Sequence, residues 1–189
     1  ELEKNNSQQK VTVCGNTIHL RNRTLQIQTI VPAYGGSNGT LDATRFRWQQ
    51  CYSSESLPLD AVLAGHDTNE DPIFVGQAHH MGNLLPAKVI PHKKCAYVSH
   101  EGEEFQESSF QVLCCRNVSW VKPQNGSIPP NAIPGGRTTS GEELFIGRGK
   151  FNGSVTPGKI FPKDRKLYIP YGNCEVVMKH FEVLVTHEN

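Results

Sequence analysis

Two lysines stand where packing alone would not put them. Lys88 lies in LLPAKVIP (residues 84–91) and Lys159 in VTPGKIFP (residues 155–162), each two residues after one proline and three before the next. An ammonium in an apolar run must reach water or a partner, because burying it alone costs several kcal/mol. Acids precede both lysines: Asp67, Glu70 and Asp71 come before Lys88, and Glu142 and Glu143 before Lys159. A carboxylate and an ammonium a few ångströms apart can chelate two neighbouring hydroxyls of a sugar. The carboxylate accepts one O–H, and the ammonium donates to oxygen lone pairs. Such a site needs no metal and no cofactor. The plainer reading is that both lysines snorkel out of half-buried strands, with the acids in surface ion pairs.

The other reactive side chains suggest no catalyst. His79 and His80 are adjacent, so on a strand they face opposite ways and would not share a metal. No serine or cysteine has a positioned base, and GRGK (residues 147–150) is not a phosphate loop. We therefore expect no enzymatic activity. Six cysteines, Cys14, Cys51, Cys95, Cys114, Cys115 and Cys174, form no CxxC pair and match no zinc spacing, so disulfides are expected. Candidate bridges run from Cys51 to Cys114 or Cys115, and from Cys95 to Cys174. Six N-x-S/T sequons, at Asn5, Asn22, Asn38, Asn117, Asn125 and Asn152, are candidate glycosylation sites. Together with the cysteines they point to a secreted, extracellular glycoprotein. Three of these asparagines precede glycine, the dipeptide that hairpin turns favour for its positive φ.

The elements that must position these residues are repeated. Shifting the sequence by 71 residues aligns Ser56–Leu113 with Ser127–Leu184 without a gap, and 16 of the 58 positions are identical. They include Gly65/Gly136, Phe74/Phe145, Lys88/Lys159, Tyr97/Tyr168 and Glu104/Glu175. Trp48 and Trp120 open the two copies one residue out of register. A 71-residue period exceeds a stacked solenoid unit, so each copy is close to a domain-sized sheet. IFVGQAH, VIPHKKCAYVSH and SFQVLCC match FIGRGKF, IFPKDRKLYIPY and HFEVLV, all with period-two alternation and Gly or Pro punctuation. The repeated glycines and prolines fix turns and strand ends, and the repeated aromatics are most simply core. Upstream, residues 1–10 are polar and expected to be disordered, followed by two strands, VTVCGNTIHL and TLQIQTIV, and a YGGSNGT loop. The domain reading is an extension over 1–47, a first repeat over 48–115 and a second over 120–185.

A net charge of +1 gives no electrostatic argument for nucleic acid, and no apolar stretch reaches the length of a bilayer-spanning helix. The phrases WVKPQNGSIPPNAIPGG, ELFIGRGKFNGSVTPGKI and LYIPYGNCEVVMKHFEVL resemble the DM-nine repeat, also found as the amino-terminal module of natterin-like toxins. The resemblance covers about residues 48–185. It implies an all-β fold of two intertwined antiparallel β-sandwich-like repeats, here with a short N-terminal β extension. It also implies mannose binding in innate recognition of microbes, through an Asp and the Lys of the P-x-K phrase. On this sequence those positions are Asp67 and Lys88. In the second copy Lys159 is kept, but Thr138 stands where the first has Asp67, so Glu142 would have to turn inward to complete a site.

The leading expectation is a secreted mannose-type lectin whose partners are glycans on microbial or cell surfaces. Multivalent binding would rest on a homo-oligomer. The competing expectation is an extracellular protein-interaction or structural module without glycan binding. A third, the recognition part of a pore-forming toxin, lacks an amphipathic hairpin to insert, so membrane insertion by this chain alone is not expected.

Overall fold

The computed structural model describes residues 12–14, 17–20, 23–26, 46–54 and 56–187. The expectations for residues 1–10, for the YGGSNGT loop, and for Asn5, Asn22 and Asn38 lie outside the described residues, and Cys14 is placed by its backbone alone. The chain divides into two compact units, Glu1–Thr40 and Leu41–Asn189. Within the first, β1 (Thr12–Cys14), β2 (Thr17–Leu20) and β3 (Arg23–Gln26) form an antiparallel sheet in that order. VTVCGNTIHL, expected as one strand, supplies two that pair with each other, β1 and β2.

The second unit is all β among its described residues, apart from two three-residue 3-10 helices at Pro91–Lys93 and Gln124–Gly126. The first copy supplies β4 (Arg47–Tyr52), β5 (Leu63–His66), β6 (Pro72–His80), β7 (Asn83–Ile90), β8 (Cys95–His100), β9 (Glu103–Glu107) and β10 (Ser109–Cys114). The second supplies β11 (Val118–Val121), β12 (Pro134–Arg137), β13 (Glu143–Phe151), β14 (Ser154–Phe161), β15 (Lys166–Tyr171), β16 (Cys174–Met178) and β17 (Glu182–Thr186). VIPHKKCAYVSH, which reads as one β stretch, breaks between β7 and β8. Pro91 has no N–H to extend the ladder, and the chain turns through the 3-10 helix to a left-handed Lys94.

The strand order is β11-β17-β13-β12-β7-β8-β9-β16-β15-β14-β5-β6-β10-β4, with β13–β14 and β7–β6 paired as well. Exchanging each strand for its counterpart in the other copy reverses this order into itself. The copies are thus related by a pseudo-two-fold axis, at which Cys174 pairs with Glu103, positions 71 residues apart. Glu104 N–H donates to the Asn173 carbonyl (3.3 Å) and Glu175 N–H to that of Gly102 (2.8 Å), the same bond seen from either copy.

The copies are intertwined, because β5 bonds to β14 at Val155↔His66 and β12 to β7 at Arg137↔Leu84. Both crossings are tight. A Cβ on Gly65 would run into the Val155 carbonyl, and one on Gly136 into that of Leu84, so only glycine admits the foreign strand. Trp48 and Trp120 sit opposite Leu113 and Leu184, equivalent partners. Their one-residue offset in the sequence is therefore absorbed in the connections that follow them.

The core divides as the sequence does. Val89, Ala96, Val98, Phe110 and Val112 pack in one cluster, and their counterparts Ile160, Leu167, Ile169, Phe181 and Val183 in another. A third cluster belongs to both copies, pairing Val62 with Ile133, Val75 with Ile146 and Leu113 with Leu184, and both tryptophans lie against it. Burying so many apolar side chains across the axis at about 25 cal/mol per Å² makes the two repeats one folding unit.

Candidate functional site

The two lysines of the repeated phrase sit beside the pseudo-two-fold axis and are buried. Lys88 is 7% exposed and Lys159 2%. The plain snorkelling reading is therefore set aside. Each ammonium meets a carboxylate sixteen residues downstream: Lys88 Nζ lies 2.9 Å from Glu104 Oε1, and Lys159 Nζ 2.6 Å from Glu175 Oε2. Each also donates to a carbonyl of the other copy, Lys88 to Pro170 (2.9 Å) and Lys159 to Ser99. Pro170 and Ser99 are themselves equivalent positions. Aromatic rings complete each enclosure, with Tyr97 5.0 Å and Tyr171 5.7 Å from Lys88 Nζ, and Phe161 5.6 Å and Tyr168 5.9 Å from Lys159 Nζ. Burial pulls the Lys159 ammonium below its ordinary pKa, and the Glu175 contact partly opposes that shift.

The acid that meets Lys88 thus follows it in the chain, whereas Asp67, Glu70 and Asp71, the acids expected from the sequence, precede it. Asp67 lies in the rim, where its Oδ1 accepts the Thr68 N–H at 2.8 Å and its Oδ2 stands 3.7 Å from Lys93 Nζ. Lys93 and Lys88 lie near the same ring, 5.9 Å and 5.0 Å from the Tyr97 centroid. Asp67 and Lys88 are thus brought to one aromatic side chain without pairing. Burial drives the Tyr97 hydroxyl pKa well above its usual value, with Cys95 and the Glu104 and Asp67 carboxylates adding to the rise.

The second copy departs at each rim position. Thr138 replaces Asp67 and bonds Ser140, and Asp164 replaces Lys93, accepting the Tyr168 hydroxyl at 2.9 Å. Burial, with Asp164 next, pushes Tyr168 up to about 12. Glu142 does not turn toward Lys159; it faces Lys163 at 3.5 Å, as its counterpart Asp71 faces His92 at 3.2 Å. The signal for the true partners was present in the identity Glu104/Glu175, the one acidic residue repeated with the lysine.

The cysteines form no disulfide among the described residues. Cys95 begins β8, paired with Ile90, whereas Cys174 pairs with Glu103, which faces His100 at the other end of β8. Five residues of strand, about 16 Å, separate them, far beyond the 7 Å limit for a bridge. Cys51 faces Phe110, and Cys114 faces Arg47 four positions further along, which likewise rules out a bridge. Cys114 is fully buried and its thiol is pushed up to about 11, mainly by burial. Of the sequons, Asn125 and Asn152 are exposed in left-handed turns (φ 53° and 45°), and Asn117 is half-buried. His79 is exposed and His80 is turned to the other face, where its Nδ1 meets Glu107 Oε1 at 2.8 Å.

A duplicated, strand-exchanged all-β body with buried lysines at its pseudo-two-fold axis defines a tandem-repeat β protein. The DM9 repeat signature matches residues 67–178, and the chain belongs to the DM9 repeat family. Its fold is similar to that in the crystal structure of the nematode sperm cell motility protein MFP2B (TM-score 0.60, 13% identity), over 82% of this chain and 50% of that one. The chain thus spans about half the length of that neighbour. No curated protein matches the chain.

Proposed function

We propose that this protein is a carbohydrate-binding module, a mannose-type lectin of innate recognition that works outside the cell and binds rather than transforms its ligand. The observation that carries this reading is the Asp67–Lys93 pair beside Tyr97. At 3.7 Å the two groups are too far apart to hydrogen-bond each other directly and close enough to hold two adjacent sugar hydroxyls between them. Asp67 Oδ2 accepts one O–H, Lys93 Nζ donates to the next oxygen, and the half-buried Tyr97 ring offers an apolar flank to the sugar's C–H face. Lys88 and Glu104 form the floor that keeps Tyr97 in place. The second copy has Thr138 and Asp164 at these two positions and so does not repeat the Asp67–Lys93 chelate, which makes this site single in the chain. The secreted setting is supported by the six sequons, two of them on exposed turns.

Binding of the intact protein to a mannosylated glycan array tests the reading. Asp67→Asn combined with Lys93→Met should abolish the mannose signal with no loss of thermal stability. Unchanged signal in that variant would remove the site. Absence of any glycan signal in the parent protein would favour the alternative, a protein-interaction module. Lys88→Ala is the weaker choice here, because it breaks a buried ion pair and tests folding first.

A further inference from the structure

A cleft of about 890 Å³ opens where β5 of the first copy meets the end of β13 and the end of β16 of the second; His66 lines it, but Asp67, Lys93 and Tyr97 do not. Its floor is apolar, with Phe151, Val176, Met178 and Phe181. Lys122, Arg148, Lys150 and Lys179 ring it, with Glu182 as the single carboxylate. Arg148 is already satisfied: its Nε lies 2.8 Å from Glu182, it donates to the Ala64 carbonyl at 2.8 Å, and it stacks on Trp120 at 4.5 Å. Lys122, Lys150 and Lys179 are exposed and make no ion pair among the described residues. In a chain of net charge +1, three uncompensated ammonium groups around one apolar cleft are a local excess.

The pseudo-two-fold axis supplies an internal control. The equivalent place in the first copy, lined by Gln50, Gln77, His79, Glu107 and Gln111, holds only about 180 Å³. There Gln50, Gln77, His79 and Ser108 stand for Lys122, Arg148, Lys150 and Lys179, and Glu107 stands for Met178. Phe105 stands for Val176 and packs against the first-copy core. His80, in place of Phe151, stacks on Phe105 at 4.2 Å and meets Glu107 at 2.8 Å. The fold alone therefore demands neither an open cleft nor a cationic one. The second copy has both.

We infer that this cleft binds a small amphipathic anion, with an aliphatic or aromatic body on the Phe151–Met178–Phe181 floor and a carboxylate, sulfate or phosphate head held by Lys122, Lys150 and Lys179. The volume suits a single small molecule, and a mostly apolar lining with a few placed charges is the usual form of such sites. The site shares no residue with the Asp67 rim, and neither proposal depends on the other.

Calorimetric titration of the intact protein with octanoate, octyl sulfate and octyl phosphate, each well below micelle formation, tests it. One of the three should bind with one-to-one stoichiometry, and the order among them names the head group. Octanol and inorganic sulfate or phosphate should bind at least tenfold more weakly. Lys150→Glu with Lys179→Glu should weaken the best anion at least tenfold without changing the melting temperature. Met178→Trp should block it, while Asp67→Asn with Lys93→Met leaves it unchanged. Octanol binding as well as the anions, undiminished affinity after the double charge reversal, or no one-to-one binding by any octyl anion would each overturn the inference.

Discussion

The two copies share their centre and differ at their edges, and the boundary between the two behaviours follows the pseudo-two-fold axis. Lys88–Glu104 and Lys159–Glu175 are the same device used twice, each ammonium tied to a carbonyl of the opposite copy. Losing either lysine would leave a buried carboxylate and an orphaned carbonyl in the partner repeat, so neither copy can drift alone. Away from the axis no such reciprocity operates. Gln77 Nε2 donates to Gln111 Oε1 at 2.5 Å in the first copy, where the second has the Arg148–Glu182 ion pair at 2.8 Å. The Asp67/Lys93 rim has become Thr138/Asp164, and the filled first-copy groove has become the open cationic cleft. Function in a duplicated fold is free to separate where no reciprocal tie of this kind holds the two copies alike.

Substitutions at the axis should do the most damage. Lys159→Ala should cost about 3–5 kcal/mol in denaturant unfolding, as expected when one member of a buried pair is removed. Lys88→Ala should follow in the same direction, with Lys159 the worse since its side chain is 3% exposed against 9%. Near-zero cost at both would dissolve the argument that the axis holds the repeats together. Next come the strand crossings: Gly65→Ala and Gly136→Ala should each lose about 1–3 kcal/mol by forcing a Cβ against backbone. A large difference between them would show that the crossings are not equivalent in energy.

Smaller is the exchange of edge chemistry. Replacing Arg148 and Glu182 together with glutamines, the first-copy solution, should change stability by about 1 kcal/mol or less, because that pair is a quarter to a third exposed. A separate effect, read against pH and not by substitution alone, falls on the alkaline limb. The Cys114 thiol is held neutral in the folded state up to about 11, against 9.0 in the open chain. Its contribution is complete below the lower value and is lost as pH rises toward the higher. Tyr168 adds a similar loss between 10.0 and about 12. Lys159 works the other way, since the unfolded chain keeps its proton longer, and stability recovers slightly as pH approaches 10.5. Measured stability should therefore decline from about pH 9, with a shallower slope in Cys114→Ala between pH 9 and 11.

The class of fold, the duplication and the two repeated lysines are legible along the chain alone. A 71-residue self-alignment and period-two patterning are local properties of the chain, as is the positive φ of Asn152-Gly153 in the β13–β14 turn. Even Glu104 was marked, as the one acid repeated with the lysine. Which acid meets which ammonium is set by the assembled sheets. That pairing spans two strands and is completed by carbonyls of the other repeat, a relation no spacing along one chain encodes. The same holds for the cysteines, whose strand registers put Cys95 and Cys174 at opposite ends of β8. It holds again for the cationic cleft, gathered from β5, β13, β16 and β17. Chain patterning reports which face of a strand is buried. Which side chains then share a space depends on how sheets cross, and here they cross between the copies.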